Sequence, residues 1–231
     1  MQLSNADHSS SPPQIEIPGV YNAAADLLLR HGARAGKAAY IDALSGASLS
    51  YSQLNEQSHR FAQGLLKLGL RQEDRVLLCM HDSLLWPVAF LGCILAGVVP
   101  VAVNTLLTSQ DYAFMLQDSR ARALLVSKAL WPVFAPVADQ CPHLQHILAD
   151  AADTTQGCVD IAELIQHNPP LVQAAHTLAD DVCCWLYSSG STGEPFATYF
   201  DNLSWYRKKF LLKLRARIAC GLSLGDRIAV L

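Results

Sequence analysis

Charged side chains are scarce in this chain: Asp, Glu, Lys and Arg make up 16% of 231 residues, against 51% hydrophobic. Such a composition excludes a disordered chain, which is kept open by charge and has too few core-forming residues. A strong net charge is also missing, and the formal value of −3 gives no general basis for a nucleic-acid partner. That value hides an asymmetry. Arg207, Lys208, Lys209, Lys213, Arg215 and Arg217 fall in one stretch with no acid between them, so the remainder is acidic. No basic leader followed by an apolar run opens the chain. Met1 to Pro13 is polar and Ser-rich, and is expected to be a loose tail rather than a signal peptide. An even cysteine count is lacking too. Cys79, Cys93, Cys141, Cys158, Cys183, Cys184 and Cys220 lie mostly in apolar runs, which suits buried reduced thiols in a cytoplasmic protein better than a disulfide framework. Cys141, His143 and His146 have no second ligand pair at a useful spacing, so no metal site is assigned.

One uninterrupted uncharged run is present, from Leu84 to Val103. It is long enough to cross a bilayer. Pro87, Gly92, Gly97 and Pro100 punctuate it, however, and Val98 to Val103 is rich in β-branched residues. The run reads as a helix followed by a strand buried on both faces, and no transmembrane segment is assigned.

The rest of the chain alternates in the same way. Tyr21 to His31 has helical spacing, and a hairpin is expected at Ala38–Asp42 and Ala47–Leu49. Ser50 and Gln53 form a capping-box pattern opening a helix with Leu54, Phe61, Leu65 and Leu68 on one face, closed by Gly69. Strands are expected at Val76–Met80, Val98–Val103, Ala123–Val126, His146–Leu148 and Val182–Tyr187. Helices are expected at Leu84–Ala96, from Thr108 to Asp118, near Ala129–Ala138 and at Ile161–Gln166. Repeated units of this kind predict an α/β fold with a layered, mostly parallel sheet. His81-Asp82 is expected to cap a helix rather than act as an acid/base pair, and Asp201-Asn202 to cap a basic helix over Leu203–Ala219. That helix reads as a solvated face on a core-packed element, with attachment to an anionic membrane as the alternative. The stretch Gly69–Val76 is echoed by Gly221–Ile228, as one helix-to-strand connection used twice.

The segment Tyr187-Ser188-Ser189-Gly190-Ser191-Thr192-Gly193-Glu194-Pro195 directly follows an apolar strand. Its two glycines let successive N–H groups converge on an anion, and its hydroxyls can donate to phosphate oxygens. No Gly-Lys-Ser/Thr follows, so it is not a Walker-type loop. Composition alone leaves a Ser/Gly-rich surface connection equally open.

This run resembles the phosphate-binding signature of the AMP-forming acyl-CoA synthetases. Other segments resemble the benzoate–CoA ligases in particular: Tyr21–Leu28, Glu73–Leu78, Pro87–Gly92, Ala96–Val101, Asn104–Thr108 and Asp118–Ala123. The resemblance is continuous from about Tyr21 to Pro195 and implies the N-terminal subdomain of the adenylate-forming ligase fold. It also implies ATP, Mg and coenzyme A as cofactors and an aromatic carboxylic acid as substrate. Ser188, Ser189, Gly190, Ser191, Thr192 and Gly193 would be the ATP phosphate contacts. No catalytic acid, base or nucleophile is assigned, because the family's further site residues follow this loop. Two departures stand out. Where the family has Lys-Gly after the loop proline, this chain has Phe196-Ala197. From Glu194 on, the text is more similar to phenylacetate–CoA ligase relatives, including adenylating proteins of polysaccharide synthesis. A junction of two related genes at the loop would account for this, and ordinary divergence is the alternative.

The resulting expectation is a loose tail over residues 1–18, a ligase subdomain over 19–195, and a truncated basic portion over 196–231, with the family's C-terminal domain absent. Such a chain would be inactive alone, and would form homo-oligomers or pair with a complementing C-terminal half. Leu231 falls just inside an expected buried strand, so the isolated chain is expected to be marginally stable. A single sharp melting transition in a purified monomer with no tendency to self-associate would contradict that.

Overall fold

The computed structural model describes residues 2–7, 9, 14–151, 157–189 and 195–202. Strands β1 (Asn5–Asp7) and β2 (Gln14–Glu16) pair antiparallel, with Ala6 opposite Ile15. Helix α1 (Ala23–Leu29) is capped by Asn22, whose side chain accepts from the Ala25 N–H. A small hairpin follows, β3 (Ala38–Ile41) with β4 (Ser48–Ser50). Next comes α2 (Tyr51–Lys67), opened by the expected Ser50–Gln53 capping box. The alternating portion then runs β5 (Arg75–Cys79), α3 (Leu85–Leu95), β6 (Val99–Ala102), α4 (Ser109–Asp118), β7 (Ala123–Ser127) and α5 (Trp131–Ala138). It continues through β8 (His146–Asp150), β9 (Val159–Asp160), α6 (Ile161–His167), β10 (Val182–Ser189) and β11 (Pro195–Asp201).

Seven of these strands form one sheet in the order β11-β10-β6-β5-β7-β8-β9. Every pairing in it is parallel except β10 with β11. Its central strands β5, β6 and β7 are almost wholly apolar and buried because both of their faces are covered. Along β5, Val76 and Leu78 pack with α1, α2, α3 and α6, while Leu77 and Cys79 pack with α4 and α5. The fold is thus the α/β arrangement read from the sequence.

The charge-free run from Leu84 resolves into α3 and β6. Residues Pro87 to Leu95 of α3 are all buried. Gly97, at φ 74°, turns the chain between the two elements, and a Cβ there would lie 2.9 Å from that of Ala175. Among the described residues no helix is long and apolar enough to cross a membrane. The α2–α3 contact is close because Gly92 has no side chain. A Cβ there would stand 2.7 Å from Phe61 Cδ1 and 2.9 Å from the Ser58 carbonyl oxygen.

Four local features lie beside or differ from the reading of the sequence. Among the described opening residues, β1 pairs with β2, and Ser4 is buried with its hydroxyl donating to Asp26 Oδ2 at 2.5 Å. The buried Asp26 carboxylate also accepts from the Tyr21 phenol at 2.6 Å and from Arg30 Nε at 2.7 Å, and Arg30 further donates to the Ser4 carbonyl. A carboxylate removed from water needs such partners. Secondly, neither His81 nor Asp82 caps α3, whose N-cap is Leu84 with no side-chain bond. Thirdly, a strand lies where the sequence reading placed none. Phe196-Ala197-Thr198-Tyr199-Phe200 is aromatic and β-branched, and it forms the body of β11, an integral strand of the sheet. Finally, the Asn202 side chain makes tertiary bonds: its amide donates to the Leu178 and Asp181 carbonyls and its oxygen accepts from Ala23 N–H. The helix expected over 203–219, the echo at 221–228 and Cys220 lie outside the described residues.

Substituting Gly92→Ala should force α2 and α3 apart and cost about 1–3 kcal/mol. Urea unfolding should show this as a lower midpoint at unchanged slope; an unchanged midpoint would mean that the helices are not held at that distance.

Candidate phosphate-binding site

The positions expected to grip phosphate sit where β10 ends. This strand is held on both sides. Trp185 and Leu186 pair in parallel with Val101 and Ala102 of β6, while the antiparallel partner β11 aligns Tyr187 with Ala197, Ser188 with Phe196 and Ser189 with Pro195. A bulge between Val182 and Cys184 turns Cys183 and Cys184 toward the same core, on the α3 side. The next alternating residues, Trp185 and Tyr187, then pack on the α4–α5 side. Trp185 meets its cross-strand partner Tyr199 edge to face, with ring centroids 4.5 Å apart. Aromatic pairs of this kind fix register.

Because β10 runs parallel to β6, its last residues emerge at the carboxyl edge of the parallel strands. Ligands of open α/β sheets bind outside that edge, where backbone polar groups are no longer consumed by the ladder. Ser188 and Ser189 are the last two residues of β10. Gly190, Ser191, Thr192 and Gly193 lie outside the described residues. The structure therefore brings Ser188 and Ser189 to the edge and pairs their backbones with the residues that follow the connecting segment.

The neighbouring β6–α4 connection is rigidly built. Asn104 Oδ1 accepts from the Leu106 N–H at 2.9 Å, and the Tyr112 phenol donates to the Asn104 carbonyl at 2.7 Å while accepting from the Leu107 N–H at 3.2 Å. Tyr112 also stacks on Phe134. Thr108 and Asp111 complete a second capping box, whose Thr108 hydroxyl holds the Asp111 carboxyl below its usual range. Burial pushes the Tyr112 phenol up, as it does the Cys79 thiol beside it. Further along, the Tyr187 phenol donates to Asp118 Oδ2 at 2.6 Å, and burial followed by this bond raises its pKa. Sequence reading assigned no role to Asn104, Tyr112, Tyr187 or Asp118. The available signal was Asp118 itself, an acid at the C-terminal end of a helix, where the dipole disfavours it.

All six described cysteines are buried, and burial pushes the Cys93 thiol far up. Among the described residues no group of three or more His, Cys, Asp and Glu side chains could hold a metal ion.

The family described as AMP-binding enzyme matches residues 30–197, which include the whole hydroxyl-rich segment. The chain is 46% identical over 199 residues to the benzoate–CoA ligase of Thauera aromatica, covering 85% of this chain and 37% of that protein. It is 40% identical over 177 residues to a 4-hydroxybenzoate–CoA/benzoate–CoA ligase of Rhodopseudomonas palustris, covering 76% of this chain and 32% of the relative. It thus spans about a third of the length of these curated relatives. Among solved structures, a benzoate–CoA ligase from Burkholderia xenovorans LB400 superposes with a TM-score of 0.76 at 36% identity, covering 90% of this chain and 39% of that one. An anthranilate–CoA ligase in complex with anthranoyl-AMP gives 0.78 at 29% identity, over 84% and 36% respectively.

The raised thiols and phenols make alkaline stability predictable. Cys79, Cys93, Tyr40 and Tyr112 keep their protons in the folded chain at pH values where the unfolded chain has lost them. Their contribution is complete below the unfolded values, about 8.5 for thiols and about 10 for phenols, and falls as pH rises beyond them. The unfolding free energy should therefore decline from about pH 8.5 upward. Tyr112→Phe should cost about 1 kcal/mol at neutral pH and flatten part of that decline. A wild-type profile level to pH 10.5 would refute the assignment.

Proposed function

Because this chain belongs to the AMP-binding enzyme family, we propose that it supplies the phosphate-gripping part of an AMP-forming aromatic-acid–CoA ligase. The observation that carries this reading is the delivery of Ser188 and Ser189 to the carboxyl edge of the sheet, with the chain paired again from Pro195. Gly190, Ser191, Thr192 and Gly193 connect these two ends in sequence, and the carboxyl edge of an α/β sheet is where N–H and O–H donors are free to meet a phosphate.

In the proposed reaction a carboxylate oxygen of a benzoate-like acid attacks the α-phosphorus of ATP. The bond to the β-phosphate oxygen breaks, and pyrophosphate leaves with the electron pair. The thiol of coenzyme A, giving up its proton, then attacks the acyl carbon and AMP departs. The contribution of Ser188, Ser189, Gly190, Ser191, Thr192 and Gly193 is to donate to the β- and γ-phosphate oxygens, holding ATP in line and stabilising the charge that grows on pyrophosphate. The aromatic substrate rests on the benzoate and hydroxybenzoate ligases among the relatives. Magnesium belongs to this chemistry in the family, and among the described residues no group of three or more His, Cys, Asp and Glu side chains fits it. A cytoplasmic setting suits both ATP and the buried cysteines.

A second reading is a nucleotide-binding or assembly module without turnover, paired with a separate C-terminal half. It draws on Phe196-Ala197 in place of the family's Lys-Gly, which removes a cation from the phosphates. Titrating the chain with ATP should give saturable binding, weakened about tenfold by Thr192→Val or Ser191→Ala. Binding that neither change affects would remove the phosphate assignment. Benzoate-dependent exchange of pyrophosphate into ATP would establish the ligase, and binding without exchange would favour the module.

A further inference from the structure

The end of β10 needs more than sheet pairing to hold it. Pairing with β6 stops at Leu186 opposite Ala102, because β6 itself ends there. Beyond that level, among the described residues, Tyr187, Ser188 and Ser189 keep strand partners in β11 alone. The body of the subdomain keeps a polar grip on this overhang at the C-terminal end of α4, where the Tyr187 phenol donates to Asp118 Oδ2 at 2.6 Å and also meets the Ser119 side chain. Tyr187 and Asp118 are 69 apart in sequence, so the contact is tertiary. Asp118 occupies the last position of its helix, where the dipole opposes a carboxylate. A residue held against a local preference points to a role outside its own helix.

We propose that Tyr187 and Asp118 are positioning residues that lock the overhanging end of β10, and with it the backbone of Ser188 and Ser189. The inference rests on the phosphate reading above and adds the device that preorganises it. Donors fixed before the ligand arrives lose less on binding.

Two measurements on the full chain test it. Hydrogen exchange should quicken severalfold at amides 186–189 in Tyr187→Phe and Asp118→Ala while β5 and β7 stay protected. Affinity for ATP, titrated where every variant is folded, should fall about fivefold in each single variant and no further in the double variant, because one link is cut only once. Asp118→Asn, which keeps an acceptor oxygen, should recover part of the loss. A purely stabilising bond would lower the melting temperature and leave the affinity of the folded chain unmoved. Unchanged exchange at 186–189, or additive losses in the double variant, would overturn the proposal. Quickened exchange in a chain that binds no ATP would instead overturn the phosphate reading and leave the lock standing.

Discussion

Burial of both faces of the parallel sheet constrains everything else in this subdomain. Once Val76 and Leu78 are claimed by the helices on one side and Leu77 and Cys79 by those on the other, a strand has no face left on which to carry chemistry. Polar function is displaced to the strand ends, where the ladder stops and backbone groups fall free. The position of Ser188 and Ser189 at the end of β10, and the dense bonding of Asn104 and Tyr112 after β6, follow from that displacement. The same constraint explains why an uninterrupted apolar run long enough for a membrane is here a helix and a strand. Pro87 to Leu95 are buried because α3 is enclosed by the sheet and neighbouring helices.

What was legible in the sequence was local. Ser50 with Gln53, and Thr108 with Asp111, announce helix starts through bonds made within three residues, and both capping boxes form. Gly69 closes α2 at φ 89° for the same reason, since its conformation is a property of the residue itself. What escaped was long-range. Strands β1 and β2 alternate polar-apolar-polar, but over three residues each, too few to stand out, and Ser4 is ordered by Asp26, a residue of a later helix. Strand β11 carries an aromatic and β-branched pattern, but it is a strand only through its pairing with β10, which its own stretch of sequence does not display. The partners of the Asn202 side chain at Ala23, Leu178 and Asp181 are likewise invisible in its own stretch of sequence.

The candidate site was legible in a different sense. Hydroxyls and glycines alone fit a surface connection as well as a phosphate grip, and physical reasoning from composition left the two undecided. The order Tyr-Ser-Ser-Gly-Ser-Thr-Gly made the difference, and the family match over residues 30–197 agrees with it. Support for that segment could not be read in the same way. Tyr187 and Asp118 each look ordinary in their own stretch of sequence, and their bond exists only because α4 and β10 are folded together.

Asn202 carries a consequence for how the chain matures. Its side-chain oxygen accepts from the Ala23 N–H at the start of α1, across 179 positions of sequence. At a synthesis rate of about 5–20 residues per second, roughly 10–35 s separate the appearance of these two partners at the ribosome. Throughout that interval a nascent chain has α1 without its final tether, along with an unfinished sheet. Such late-closing contacts slow folding and leave apolar surface open to chaperones.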